Sequence, residues 1–306
     1  MEYKMKVLVT GGSGQVGKEL KKIKPDWIYI SSKDFNLTVC SEVESMFEKH
    51  KPNVVIHLAA KVGGIIDNIN LPCDYFYDNI MMNTLLVNTS KKYNVDRFIG
   101  VLSTCIYPDK VDDYPMKEEI LHLGPPTETN FSYGISKRSM AVHIDAMNKQ
   151  YGTNYCYVIP SNLYGVYDKF DERSHFVAAL IKKIILAKEN GDNKINLFGT
   201  GKPLRQFVNA KDFANVIIQM IDNNINENFN FAGDDNLTID EIARIALKAL
   251  DCEYMDIEYD STKPDGQYRK DVDITKFKTL FPNFKFTNLE DGIRDVYHNL
   301  FVKTLD

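Results

Sequence analysis

The 306-residue chain has no apolar run close to the roughly 20 residues that a helical membrane span requires. It also has no basic excess. Its 37 Lys and Arg stand against 42 Asp and Glu, a formal net charge of −5, so it lacks the electrostatic footprint of a nucleic-acid binder. Cysteine is scarce and scattered, at positions 40, 73, 105, 156 and 252. An odd number without knuckle spacing excludes a disulfide framework and a zinc ribbon, and no metal is expected. The opening "MEYKMKVLVTGG" passes from a short polar lead into a strand and a glycine turn, without the apolar stretch of a secretory leader. These absences point to a reduced, cytoplasmic protein with neither membrane nor nucleic acid as partner. What is present suits a full core: 44% hydrophobic and 26% charged residues, in a length that suggests about two domains.

Short apolar runs alternate with helical patterns through the first half: "KVLVTG" (6–11), "WIYIS" (27–31), "NVVIHLAA" (53–60), "RFIGVLSTC" (97–105) and "YCYVIPSNLYG" (155–165). Nearly continuous β-branched runs of this kind suit strands buried on both faces. Between them, Val43, Met46 and Phe47 mark one face of a helix over 41–50. The pattern predicts an α/β fold, a Rossmann-type doubly wound parallel sheet, with a smaller α/β domain after it. The expected division is 1–165 for a dinucleotide-binding domain, to which 204–222 returns, and 166–306 for a substrate-binding domain. Thr238 and Glu241 fit a capping box at the start of a helix over 238–250.

"VTGGSGQVGKEL" (9–20) sets Gly11, Gly14 and Gly17 between the first strand and the first helix. Glycine is needed where the backbone turns tightly and approaches a pyrophosphate, and the following helix aims its N–H groups at that charge. After the second strand come Ser31, Ser32 and Lys33, with Asp34 only behind them. Two hydroxyls and a cation suit the 2′-phosphate of NADP better than an acid would, so NADPH is expected over NADH.

"SYGISKRSM" (132–140) carries Tyr133 and Lys137 at i, i+4, on one helical face. A neighbouring ammonium favours the phenolate, so Lys137 is expected to draw the Tyr133 phenol down towards neutrality. Ser103, at the end of the fourth strand, can bond the same substrate oxygen. Directly behind it, Cys105 is open to two readings: a packed strand end, since free cysteine is often buried, or a reactive thiol.

Gly11/Gly14/Gly17, "HLAA" (57–60), Ser103 and Tyr133-x-x-x-Lys137 together resemble the extended short-chain dehydrogenase/reductase family, from Lys6 to about Asp291. Within it, "AAKVGGI" (59–65), "LSTCIYPD" (102–109), "PSNLYG" (160–165), "FGTGKPLRQF" (198–207) and "TKPDGQYRK" (262–270) are similar to the GDP-L-fucose synthases. Those enzymes take GDP-4-keto-6-deoxymannose, epimerise C3 and C5 and reduce C4 with NADPH. The resemblance implies that Gln15, Val16, Leu58, Ala59, Ala60 and Pro160 line the cofactor with the glycines, and that Lys137 holds the nicotinamide ribose. It makes Tyr133 the proton donor to the new alkoxide and Ser103 the group that polarises the ketone. Cys105 becomes the base at C3 and C5 and His175 the acid. Val62, Gly63 and Asn162 border the sugar, Arg205 and Lys183 meet the diphosphate and nucleotide, Lys263 is a further candidate there, and Phe198 lies near guanine. A homodimer formed through two helices of the cofactor domain is also implied.

The chain departs from that family where the sugar is bordered. "GVYDKF" (165–170) replaces a usual G-P-H-D-N-F, the loop before His175 is shorter, and Ala178 stands where a proline is usual. A related substrate such as a GDP-4-keto-heptose for a capsule or lipopolysaccharide is the alternative, with or without epimerisation. An NAD-retaining epimerase or dehydratase shares the fold, but the acidic pair of the dehydratases is replaced by Cys105-Ile106. A non-catalytic dinucleotide binder is also compatible with the fold, though not with intact Ser103, Tyr133 and Lys137.

Overall fold

Strands form where β-branched and aromatic residues run on unbroken between turn residues. The computed structural model describes residues 5–170, 174–263 and 265–299; the expected second domain runs past them, and its residues 300–306 lie outside. The first five strands are β1 (Val7–Thr10), β2 (Ile28–Ile30), β3 (Val54–His57), β4 (Arg97–Val101) and β5 (Tyr155–Pro160). Shorter strands follow: β6 (Asn162–Tyr164), β7 (Lys194–Phe198), β8 (Leu204–Arg205), β9 (Phe207–Asn209), β10 (Phe229–Phe231), β11 (Leu237–Thr238) and β12 (Asp256–Asp260). Helices α1 (Gln15–Ile23), α2 (Cys40–His50), α3 (Ile65–Asn70), α4 (Pro72–Lys92) and α5 (Phe131–Tyr151) alternate with the first five strands. The later helices are α6 (Phe176–Asn190), α7 (Ala210–Asp222), α8 (Ile239–Ala249), α9 (Thr275–Leu280) and α10 (Leu289–Tyr297).

Six strands make one sheet in the order β2-β1-β3-β4-β5-β10, every pair parallel. β1, β3, β4 and β5 are buried along their whole length, as their continuous apolar character requires. This is the expected Rossmann-type α/β architecture. α1 packs on α7, while α2 packs on α4 and α4 on α5. The strand order reverses between β1 and β3, and the crevice outside the carboxyl ends at such a point is where these sheets bind ligands.

The run 155–165, read as one strand, divides in two. Pro160 has no N–H to continue the ladder, Ser161 N–H donates to the Phe231 carbonyl at 2.8 Å, and β6 then leaves the sheet to pair with β9. Side chains of α6, β7, α8 and α10, among them Ile181, Ile195, Ile242 and Ile293, close a second apolar core. The expected capping box is present: Thr238 accepts from Glu241 N–H at 3.1 Å and its own N–H donates to the Glu241 carboxylate at 2.7 Å. Pro72 takes the first helical position of α4, so the Cys73 thiol sits exposed in the first turn of that helix. All five cysteines are free. Among the described residues no helix is long and apolar enough to cross a membrane.

The glycine turn shows what fixes the start of α1. Gly11 has φ +73°, a left-handed conformation that an L side chain rarely adopts, and a Cβ there would meet the Ala59 backbone nitrogen at 2.8 Å. A Cβ on Gly17 would meet the Gly11 carbonyl oxygen at 2.4 Å. Gly17→Ala therefore separates helix from turn, and a loss of about 1–3 kcal/mol of stability is expected, read as a lowered melting temperature. A melting temperature equal to that of the native chain would contradict this close packing.

Candidate active site

Apart from Tyr133 and Lys137 on α5, the cofactor-side residues singled out from the sequence lie in the turns that follow the carboxyl ends of sheet strands, or at such an end. Gly12 N–H donates to the Ile30 carbonyl at 2.8 Å, tying the glycine turn to the end of β2, and Gly14 N–H donates to Gly11 at 2.9 Å. Gly14 caps α1, so Gln15, Val16 and Gly17 form its first turn. Leu58, Ala59 and Ala60 follow β3 and are half-buried, and Pro160 ends β5. A bare backbone turn at a helix N-terminus is a cradle that fits a dinucleotide diphosphate. Beyond β2, Ser31 donates from both N–H and hydroxyl to one Asp34 oxygen, at 2.8 and 2.7 Å. These bonds hold the Asp34 carboxyl below its usual range, and leave Ser32 and Lys33 exposed on the same turn.

A buried relay joins β1, β3, α4 and α5. The Asn83 amide donates to the Ser136 carbonyl at 3.1 Å, so its oxygen accepts from His57 Nε2 at 2.9 Å. His57 Nδ1 then accepts from the Thr10 hydroxyl at 2.8 Å. Burial drives this imidazole down to about 3, so it stays neutral and serves as a structural connector.

α5 presents Tyr133 and Lys137 beneath the end of β4. Lys137 is buried, its Nζ donates to the Val101 carbonyl at 2.9 Å, and burial brings the ammonium down to about 7. The Tyr133 phenol is raised rather than lowered, contrary to the sequence expectation. Burial is the main cause, and the Cys105 charge adds to it against a hydrogen bond with Ser103. Spacing puts phenol and ammonium on one face, but Lys137 spends its charge on a carbonyl and is itself desolvated. Tyr133 is thus held as a neutral phenol.

Ser103 caps a single 3-10 turn at Thr104–Ile106 and accepts from Cys105 N–H at 3.3 Å, which sets thiol and hydroxyl side by side. Lys270 Nζ stands 2.9 Å from Cys105 Sγ. Burial works to raise the thiol, but the Lys270 charge and hydrogen bond, the Ser103 hydroxyl and the Arg205 charge outweigh it, and the net shift is downward. His175 caps α6, and its Nδ1 lies 2.9 Å from Asp168 Oδ1. That hydrogen bond leads the causes that raise the imidazole above its ordinary value. Lys270 and Asp168 had no role in the sequence reading. Lys270 meets its partner across 165 residues, which no local spacing can reveal.

Among the residues assigned to the substrate from the sequence, Phe198 is 66% exposed, with the Lys183 and Lys263 ammonium groups 5.5 and 6.0 Å from its ring centre. An unburied aromatic between two cations fits an anionic, aromatic ligand. Asp265 braces this corner, accepting from Thr200 N–H and hydroxyl at 2.6 and 2.8 Å. Arg205 is turned on its own strand, donating to Leu204. Asn162 donates to the Gln206 carbonyl at 2.9 Å, and Val62 is exposed. At Gly63 a Cβ would meet the Tyr75 hydroxyl at 2.1 Å, so no larger residue fits there without that ring moving. Among the described residues no His, Cys, Asp and Glu cluster could hold a metal ion.

Residues 7–232 match the NAD dependent epimerase/dehydratase family. The chain belongs to that family, the extended branch of the short-chain dehydrogenase/reductases. Its relatives include GDP-L-fucose synthase of Dictyostelium discoideum, 37% identical over 95% of this chain and 94% of that protein. GDP-L-colitose synthase of Yersinia pseudotuberculosis is 35% identical over 94% and 96%. A crystal structure of a GDP-L-fucose synthetase from Naegleria fowleri bound to NADP superposes with a TM-score of 0.89 at 32% identity, covering 100% of this chain and 95% of that one.

The Lys137 geometry has a measurable consequence. Folding lowers this ammonium from 10.5 to about 7, so between those values the folded chain binds fewer protons than the unfolded one. Stability therefore rises with pH across that window. Lys137→Met is expected to flatten the slope, checked by denaturant melts of both proteins at pH 7 and pH 9. An unchanged slope would mean that the ammonium is not buried as described.

Proposed function

We propose that this protein is an NADPH-dependent reductase of the C4 ketone of a GDP-4-keto-6-deoxy sugar, coupled to epimerisation at C3 and C5. The observation that carries the reading is the gathering of Ser103, Cys105 and Tyr133 beside one strand end, with a cation against the thiol. The glycine cradle and Leu58–Ala60 hold the dinucleotide, Ser31, Ser32 and Lys33 meet its 2′-phosphate, and Lys137 meets the nicotinamide ribose. NADPH, when bound, supplies the hydride. Ser103 and Tyr133 hold the ketone oxygen, and Tyr133 gives up its proton as that oxygen becomes an alkoxide.

Protons on C3 and C5 are acidic because the ketone delocalises the carbanion. Cys105 removes them as base, and His175 returns a proton from the opposite face through Nε2, since Nδ1 is engaged by Asp168. Arg205, Lys183 and Lys263 neutralise the diphosphate and nucleotide, Phe198 stacks near guanine, and Val62, Gly63 and Asn162 border the sugar. Residues 1–165, joined by 204–222, form the cofactor side, which the packing of α7 on α1 supports. Residues 166–306 form the sugar side. A cytoplasmic homodimer completes the proposal, with exposed Phe76 and Tyr77 of α4 and Val142 of α5 as apolar material for a helical interface.

A second reading is favoured at one place. "GVYDKF" (165–170) carries Asp168, 2.9 Å from His175, and departs from the fucose-synthase pattern, and relatives of nearly equal identity are named for different sugars. A GDP-4-keto-heptose reductase uses the same reduction machinery.

The test presents the protein with GDP-4-keto-6-deoxymannose and NADPH in D₂O. Oxidation of NADPH with deuterium gained at C3 and C5 is the expected result. Oxidation without carbon-bound deuterium would remove the epimerase half, and no oxidation would overturn the fucose reading in favour of larger 4-keto sugars. Tyr133→Phe is expected to lower the reduction rate about 10²- to 10⁴-fold. Asp168→Asn removes the carboxylate charge that helps to raise the His175 imidazole above its ordinary value, so the fall of epimerisation with rising pH is expected to begin at lower pH. The solvent-exchange rate against pH measures this, and an unmoved profile would separate His175 from the acid role.

A further inference from the structure

Lys263 lies at the Phe198 ring and Lys270 at the Cys105 thiol, and the chain over 268–272 is fixed on both sides of Lys270. The Tyr268 carbonyl accepts from Leu204 N–H at 2.9 Å. Val272 N–H donates to Gln206 Oε1 at 2.9 Å, and Met116 N–H donates to the Asp271 carbonyl at 2.9 Å. Arg269 grips Asp271 through two bonds of 2.6 and 2.9 Å and lies over the Tyr114 ring. Backbone held this way at 268, 271 and 272 leaves the Lys270 side chain little choice of place. Among the described residues its ammonium meets the acceptor Cys105 Sγ at 2.9 Å.

We propose that Lys270 is the fixed counter-ion that keeps Cys105 as a thiolate, ready to take a proton. The proposal rests on the epimerase reading above for its chemistry. The charged and titratable groups facing the thiol are Lys270 and Arg205, which favour the anion, and the Tyr133 phenol; the Ser103 hydroxyl hydrogen-bonds it, and burial opposes the charge. An ordinary thiol, with a pKa of about 8.5, is a few per cent thiolate at neutrality, so a matched cation raises the working fraction of base.

The step balances without another reactant. The thiolate takes a proton from the carbon beside the ketone, the C–H pair moves into the enolate, and the negative charge comes to rest on the C4 oxygen. The imidazolium of His175 delivers a proton to the opposite face as the enolate collapses, leaving a thiol and a neutral imidazole. Solvent resets the pair by taking the proton from one and supplying the other. Deuterium from the solvent thereby enters carbon.

The test needs no substrate. The full chain is alkylated with iodoacetamide across pH, and the rate at Cys105 is read by peptide mass spectrometry. Exposed Cys40 and Cys73 act as internal references. In Lys270→Met the Cys105 profile is expected to move to higher pH, slowing alkylation at pH 7 by about tenfold while the references hold still. Lys270→Arg, which keeps the charge, is expected to stay near the native profile. A Lys270→Met profile that coincides with the native one overturns the proposal. Because the readout is independent of turnover, failure to reduce a GDP-4-keto sugar would count against the function alone and leave this result standing.

Discussion

The approach of one backbone to another, Gly11 against Ala59, is the contact on which the site depends. It brings the turn after β1 onto the chain after β3, at the place where the strand order reverses. Without side chains at Gly11 and Gly17, α1 begins close enough to aim its first N–H groups into the crevice. The His57 relay then fixes the same strand ends from below, reaching from Thr10 to Ser136 on the helix that carries Tyr133 and Lys137. The turn after β1 and the helix that carries Tyr133 are thereby held by one continuous set of buried contacts.

Above that platform the chemistry is arranged by burial and by placed counter-charges. Three groups leave their solution habits. Tyr133 is kept neutral, Cys105 is drawn towards the thiolate, and His175 is drawn towards the imidazolium. These are the directions that the proposed phenolic donor, carbon base and carbon acid call for. Each shift has a local origin: desolvation for the phenol, the Lys270 ammonium for the thiol and the Asp168 carboxylate for the imidazole.

Much of this was legible in the amino-acid order. Strands buried on both faces announce themselves as apolar runs, the glycine spacing marks the cradle, and Tyr133-x-x-x-Lys137 falls on one helix. Family resemblance supplied Cys105, His175 and the Phe198 corner. Spacing failed where direction matters. It placed Lys137 on the same face as Tyr133 but could not tell that the ammonium turns to Val101, so the expected sign of the phenol shift was reversed. It also passed over Lys270 and Asp168, one because its partner is distant in sequence and the other because a loop acid has no period to betray it.

The central claim is that a C4 ketone is reduced in this site. The most direct measurement supplies NADPH deuterated at both positions of its nicotinamide C4, with GDP-4-keto-6-deoxymannose in ordinary water, and locates the label in the sugar by NMR and mass spectrometry. One deuterium at C4 of the sugar is the expected result. A product without deuterium at C4, or consumption of labelled NADPH with the sugar unchanged, would contradict the account.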